Sequence, residues 1–102
     1  MRFQQPSAWP WPVFPLGELN MTLQARLAVQ AAGTDWRALV AGFQGGRWPD
    51  PDDAAKNERA LIEGTLILCR YMLHTGVEIV IATLADRSET WVLLRSEVSE
   101  KG

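Results

Sequence analysis

The sequence predicts a small α+β domain. Three observations carry this. Apolar residues recur at helical spacing through the first part of the chain. Asp50-Pro51-Asp52-Asp53 opens a long third helix, and two β-branched runs flank a polar turn near the end. At 102 residues the chain makes one domain, with a core large enough to fold alone but little surplus.

Residues 1–18 read as an extended arm in front of a domain spanning 19–102. Pro6, Pro10, Pro12 and Pro15 forbid a helix interior or a central strand. Trp9, Trp11 and Phe14 make the arm too apolar for a solvated linker, so it packs across its own domain or latches onto a partner. Met21 is an alternative start, which would make the arm an upstream extension. Helix one spans 20–32, with Asn20 as cap, Gly33 beyond its end, and Leu19, Leu23, Leu27 and Ala31 recurring at i, i+4. Helix two spans 35–44, with Thr34 as cap and one apolar face of Trp36, Leu39, Val40 and Phe43. Gly45 to Pro49 is a loop that carries Trp48.

Helix three is expected from Asp50 to His74 or Thr75, stopped by Gly76. An Asp cap, Pro at the first helical position and acids in the first turn all favour that start. Over this length Asp52, Lys56, Arg59, Glu63, Arg70 and His74 fall within an arc of roughly 60°. From Ala60 onward nearly everything else is apolar, which calls for cover on most sides. Strands are expected at 77–84 and 90–98 around a turn at 85–89. Setting Leu84 opposite Glu89 pairs Glu78 with Arg95, Val80 with Leu93 and Ala82 with Trp91 on one face. Ile79 then meets Leu94 and Ile81 meets Val92 on the other. Both faces are apolar, and a lone hairpin is marginal. Either residues 1–5 of the N-terminal arm add a short strand, or a second subunit pairs its edge to make a four-stranded sheet; the homodimer is the favoured expectation.

Catalytic material is scarce. The one histidine, His74, suits a helix C-terminus, and the one cysteine, Cys69, reads as a buried small hydrophobe. With one of each, a zinc site is not expected, and the aspartates lack the spacing of a calcium loop. Gly45-Gly46-Arg47 lacks the strand and lysine of a phosphate loop. No metal or cofactor is implied, and no enzyme is expected. A net charge of −2 without a basic patch argues against nucleic acid. No stretch is long enough to span a bilayer, the N-terminus lacks a signal-like apolar run, and a single cysteine fits a reducing compartment, so a cytoplasmic protein is expected.

The leading expectation is a self-associating binding or adaptor protein. Trp9, Trp11, Trp48 and Trp91 are its anchors, because large aromatics carry much of an interface's energy. A second reading is a small-ligand domain walled by Trp91 and Tyr71, with Arg70 or Glu63 as the polar contact. A third takes helix, helix, helix, strand, turn, strand as a winged-helix DNA binder, against which stand the acids opening helix three and the lone arginine of the wing.

Overall fold

The computed structural model describes residues 12–98. In chain order the elements are β1 (Glu18–Met21), α1 (Leu23–Ala31), α2 (Trp36–Gln44), α3 (Pro51–Glu63), β2 (Ile67–Met72), β3 (Glu78–Thr83) and β4 (Glu89–Leu94). A single 3-10 turn, Arg95–Glu97, follows. The strands form one mixed sheet in the order β1-β4-β3-β2. Three helices and a four-stranded sheet make this an α+β fold. Trp9, Trp11 and the strand considered at residues 1–5 lie outside the described residues.

Helix three starts where its signals placed it. Asp50 caps it, its carboxylate accepting from the N–H groups of Asp52 at 2.8 Å and Asp53 at 3.3 Å, and Pro51 opens the first turn. Its end is a correction. The helix stops at Glu63, because Gly64 adopts a left-handed conformation (φ 73°) and turns the chain. The apolar run beyond it is an antiparallel strand, β2, paired with β3 from Ile67↔Thr83 to Met72↔Glu78. A continuous apolar run fits a buried helix and a buried strand equally well, and the glycine decides between them. Arg70, Tyr71 and His74 therefore do not share a helical stripe with Glu63.

β3 and β4 pair in the expected register from Ile79↔Leu94 to Thr83↔Thr90, but β4 ends at Leu94 and residues 95–97 turn into the 3-10 segment, so the strand expected to run to 98 stops short and its Glu78–Arg95 pair lies beyond the paired region. The sheet is completed within the chain, by β2 on one side and by β1 running parallel to β4 on the other. The strands the hairpin lacked thus come from residues 67–72 and from residues 18–21, which begin at the last residue of the arm, and the four-stranded sheet needs no second subunit to form. Asn20, expected to cap helix one, lies in β1, and Thr22 caps α1 instead.

The core lies on one face of the sheet. Ile67, Cys69, Ile79, Ile81 and Val92 point toward Ala25 and Val29 of α1, Val40 and Phe43 of α2, and Ala60 of α3. Helix two presents the apolar face read from its sequence. Helix one does not: its core side is Ala25, Val29 and Ala32, while Leu23 and Leu27 are exposed at 66% and 49%. The described part of the arm packs on its own domain. Phe14 is buried edge-on against Phe43, with ring centroids 5.2 Å apart. The Val13 N–H donates to the Gln44 carbonyl, and the Gln44 amide donates to the Phe14 carbonyl. Deeper in, the buried Thr90 hydroxyl donates to the Leu16 carbonyl at 2.7 Å and meets the Thr83 hydroxyl.

Candidate functional site: the helix-free face of the sheet

Residues alternate across a strand, so those between the core positions form the opposite face. The register sets them in rows. One row is Leu68, Ala82, Trp91 and Asn20 across β2, β3, β4 and β1, and the next is Arg70, Val80 and Leu93. Continuing the alternation past the strand ends adds Leu66 and Leu84 below the first row. Leu66, Leu84 and Trp91 are exposed at 47%, 39% and 38%. Leu68, Ala82 and Leu93 are half-buried. No described helix covers this face. The 3-10 turn reaches it only near Val80, which is buried. Glu97 holds that turn in place, accepting from the Leu94 N–H at 2.9 Å and the Thr22 hydroxyl at 2.7 Å.

Trp91 sits mid-sheet with an oriented ring. Its indole N–H donates to the Glu89 carboxylate at 2.9 Å. Glu89 and Glu18 are register partners and lie on this face at the end of β4 and β1 nearest the apolar rows. The other end holds a charged cleft of about 310 Å³, where Lys56, Arg70, Arg95 and Asp53 lie over Leu68, Val80 and Val98, with Arg70 paired to Asp53 and Asp50. The face thus has an apolar centre, an acidic end and, at the other end, a cleft of mixed charge.

The edge at β2 is held by α3. Asn57, buried at 1% exposure, donates its amide N–H to the Leu68 carbonyl at 2.9 Å and accepts from the Leu68 N–H at 3.0 Å. Asp53, also buried, accepts from the Arg70 N–H at 3.1 Å and from the Arg70 guanidinium at 3.2 Å. Asp50 takes a further guanidinium N–H at 2.8 Å. The hydrogen bonds that the Arg70 guanidinium donates to Asp53, and the charges of Asp53 and Asp50, hold Arg70 still more firmly protonated than a free guanidinium. These roles were missed in the sequence, where Asp53 read as a first-turn acid. The available signal was Asn57, a poor helix former in a helix interior.

Bonds to the N–H groups of Asp52 and Asp53, with Arg70 and Lys56 nearby, hold the Asp50 carboxyl below its ordinary value despite some desolvation. Bonds from Ser88 do the same for Asp86 in the β3–β4 turn. Depressed folded values give stability that is present above about pH 4 and lost as pH falls through them. Thermal melts between pH 6 and pH 2 should therefore show the midpoint dropping below about pH 4. Asp50→Asn retains a capping oxygen but not the titration, and it should show a smaller drop.

The remaining expected site residues are dispersed. Tyr71 lies on the core side of β2, its hydroxyl donating to the Arg47 carbonyl at 3.0 Å, and burial pushes its pKa up. It and Trp91 are on opposite faces and cannot wall one pocket. Glu63 is exposed at the C-terminal end of α3, whereas Arg70 is bound at the N-terminal end. Trp48 packs against the core and donates its indole N–H to the Phe43 carbonyl. Cys69 is fully buried, and burial pushes its thiol up to about 11, which suits a packing role.

His74, in the β2–β3 turn, donates Nε2–H to the Ala32 carbonyl at the end of α1. Arg87, the lone arginine of the supposed wing, instead donates to the carbonyls of Ala60 and Thr65 at the end of α3 and to that of Leu84 in its own turn. No group of three or more His, Cys, Asp or Glu placed to hold a metal lies among the described residues. No helix among them is long and apolar enough to cross a membrane. Comparison of the chain with protein families, with curated proteins and with solved structures found no match.

Proposed function

We propose that this chain is a non-catalytic binding protein that presents the helix-free face of its sheet to a protein partner. The observation that carries this reading is Trp91: a tryptophan in the middle of a strand, exposed, with its ring oriented by Glu89 and with Ala82 beside it and Leu93 next along its strand on the same face. An oriented aromatic loses little freedom on binding, and Trp is the residue type most often found to anchor an interface. Glu18 and Glu89 at the end of the patch favour a partner whose apolar anchor is flanked by Lys or Arg. Of the four tryptophans expected as anchors, Trp91 is retained. Trp48 is tied to Phe43, and Trp9 and Trp11 lie outside the described residues.

An array of short peptides that pair Trp, Phe or Leu with Lys and Arg tests this directly. Some members should bind the full chain, and Trp91→Ala should weaken them about thirtyfold while circular dichroism stays native. Binding that is indifferent to Trp91→Ala, or an array in which nothing binds, would sink the reading.

A further inference from the structure

The two edges of the sheet differ. Alternate residues of an edge strand send their N–H and C=O groups outward, where another strand can take them. On β2 those residues are Leu68, Arg70 and Met72, and the side chains of Asn57 and Asp53 occupy both groups of Leu68 and the N–H of Arg70. On β1, Glu18, Asn20 and Thr22 turn toward β4: Glu18 donates to the Ser88 carbonyl at 2.9 Å and Thr22 to the Val92 carbonyl at 3.0 Å. Leu19 and Met21 therefore aim their backbone groups away from the sheet, and no described residue bonds them. β1 is short and carries the charge of Glu18 at one end, but Glu18–Met21 holds no proline, no lysine and no bulge to block its outward groups.

We propose that β1 pairs with β1 of a second copy of this chain, antiparallel about a two-fold axis through Asn20, so that the two sheets continue as one. The segment is complementary to itself in this arrangement. Leu19 falls opposite Met21 of the copy, and the two exchange both backbone bonds, as hydrogen-bonded pairs do. Both side chains lie on the core side, so an apolar pair meets an apolar pair. Asn20 faces Asn20, and an amide offers a donor and an acceptor to its own copy. Glu18 falls opposite Thr22, which sets the two Glu18 carboxylates about 13 Å apart, beyond the Debye length at physiological salt.

A parallel pairing would lack this closure and would set Glu18 beside Glu18. α1 begins just after Met21, and its Leu23 and Leu27 are exposed. This inference rests on the backbone edge of β1; Asn20 and Glu18 of the same strand also border the Trp91 face, and Trp91→Ala separates the two, because it should leave this dimer intact.

The test uses the full chain. By light scattering the wild type should have twice the 11.4 kDa mass of one chain. In an antiparallel pair, facing residues whose backbone groups point away from each other have Cα atoms about 4.5 Å apart, within reach of a disulfide. Asn20→Cys should therefore cross-link into a reducible dimer under mild oxidation, and the buried Cys69 should leave the wild type uncross-linked. Asn20→Asp sets two carboxylates on the axis and should halve the mass at neutral pH while the melt stays cooperative. A monomeric wild type at millimolar concentration would overturn the proposal. So would a dimer that persists in Asn20→Asp and fails to cross-link in Asn20→Cys, because its interface would lie elsewhere, as on the Trp91 face.

Discussion

Replacing Asn57 by alanine should lower the stability of the domain by roughly 2–4 kcal/mol. Asn57 is buried, and its amide matches both the N–H and the C=O of Leu68, at 3.0 and 2.9 Å. Alanine leaves both groups without partners at a site closed to water, and each unsatisfied buried group costs about 1–3 kcal/mol. The neighbouring Asp53–Arg70 bonds survive, so the helix stays docked at its N-terminal end and the loss is local. Urea unfolding should show a lower midpoint with an unchanged slope. Amide exchange should accelerate first at Leu68, while β4 keeps its protection. A variant as stable as the wild type would show that water replaces the amide, and that the edge of β2 is wetter than its burial indicates.

Gly17→Ala should cost a comparable amount, roughly 2–4 kcal/mol, by another route. Gly17 has φ 66°, a conformation that an L side chain adopts at a cost of about 1–2 kcal/mol. A Cβ there would also collide with the backbone of Arg87 and Ser88 in the β3–β4 turn. Those atoms are fixed, because Arg87 is bonded to the end of α3 and Ser88 accepts from the Glu18 N–H. The chain relieves the clash by lifting β1 away from β4. Thermal melting should fall, and the amides of Asn20 and Thr22 should exchange faster while those of β2 and β3 do not. Equal protection of β1 in wild type and variant would refute this account.

Legibility in the sequence followed the strength of local signals. The start of α3 was readable because Asp50 and Pro51 act within one turn of chain. The β3–β4 register was readable because opposite charges at Glu78 and Arg95 and a short turn leave few alternatives. β2 was not readable: Leu66 to Leu73 is apolar without a period, and a single residue, Gly64, decides its fate. β1 is four residues with no β-branched member, and only its partner β4, far along the chain, makes it a strand. The burial of α1 came out reversed because small residues, Ala25 and Val29, let the helix lie close to the sheet. The larger leucines are left outside. Of the candidate face, Trp91 was visible early. Its setting was not, because Leu66 and Leu68 join it only once β2 is a strand.

The clamp between α3 and β2 also bears on the order in which the chain assembles. Asn57 reaches a residue only eleven positions on, and Asp53 one seventeen positions on. β2, β3 and β4 then follow one another through short turns. Residues 50–94 thus make a unit of local contacts that forms with little loss of chain freedom. β1 must instead find β4 across the whole intervening chain, since Glu18 pairs with Glu89. Closing so long a loop becomes worthwhile only when β4 is already in place. The part of the protein that orients Trp91 is therefore built first, and β1 is the last strand to arrive and the first to leave.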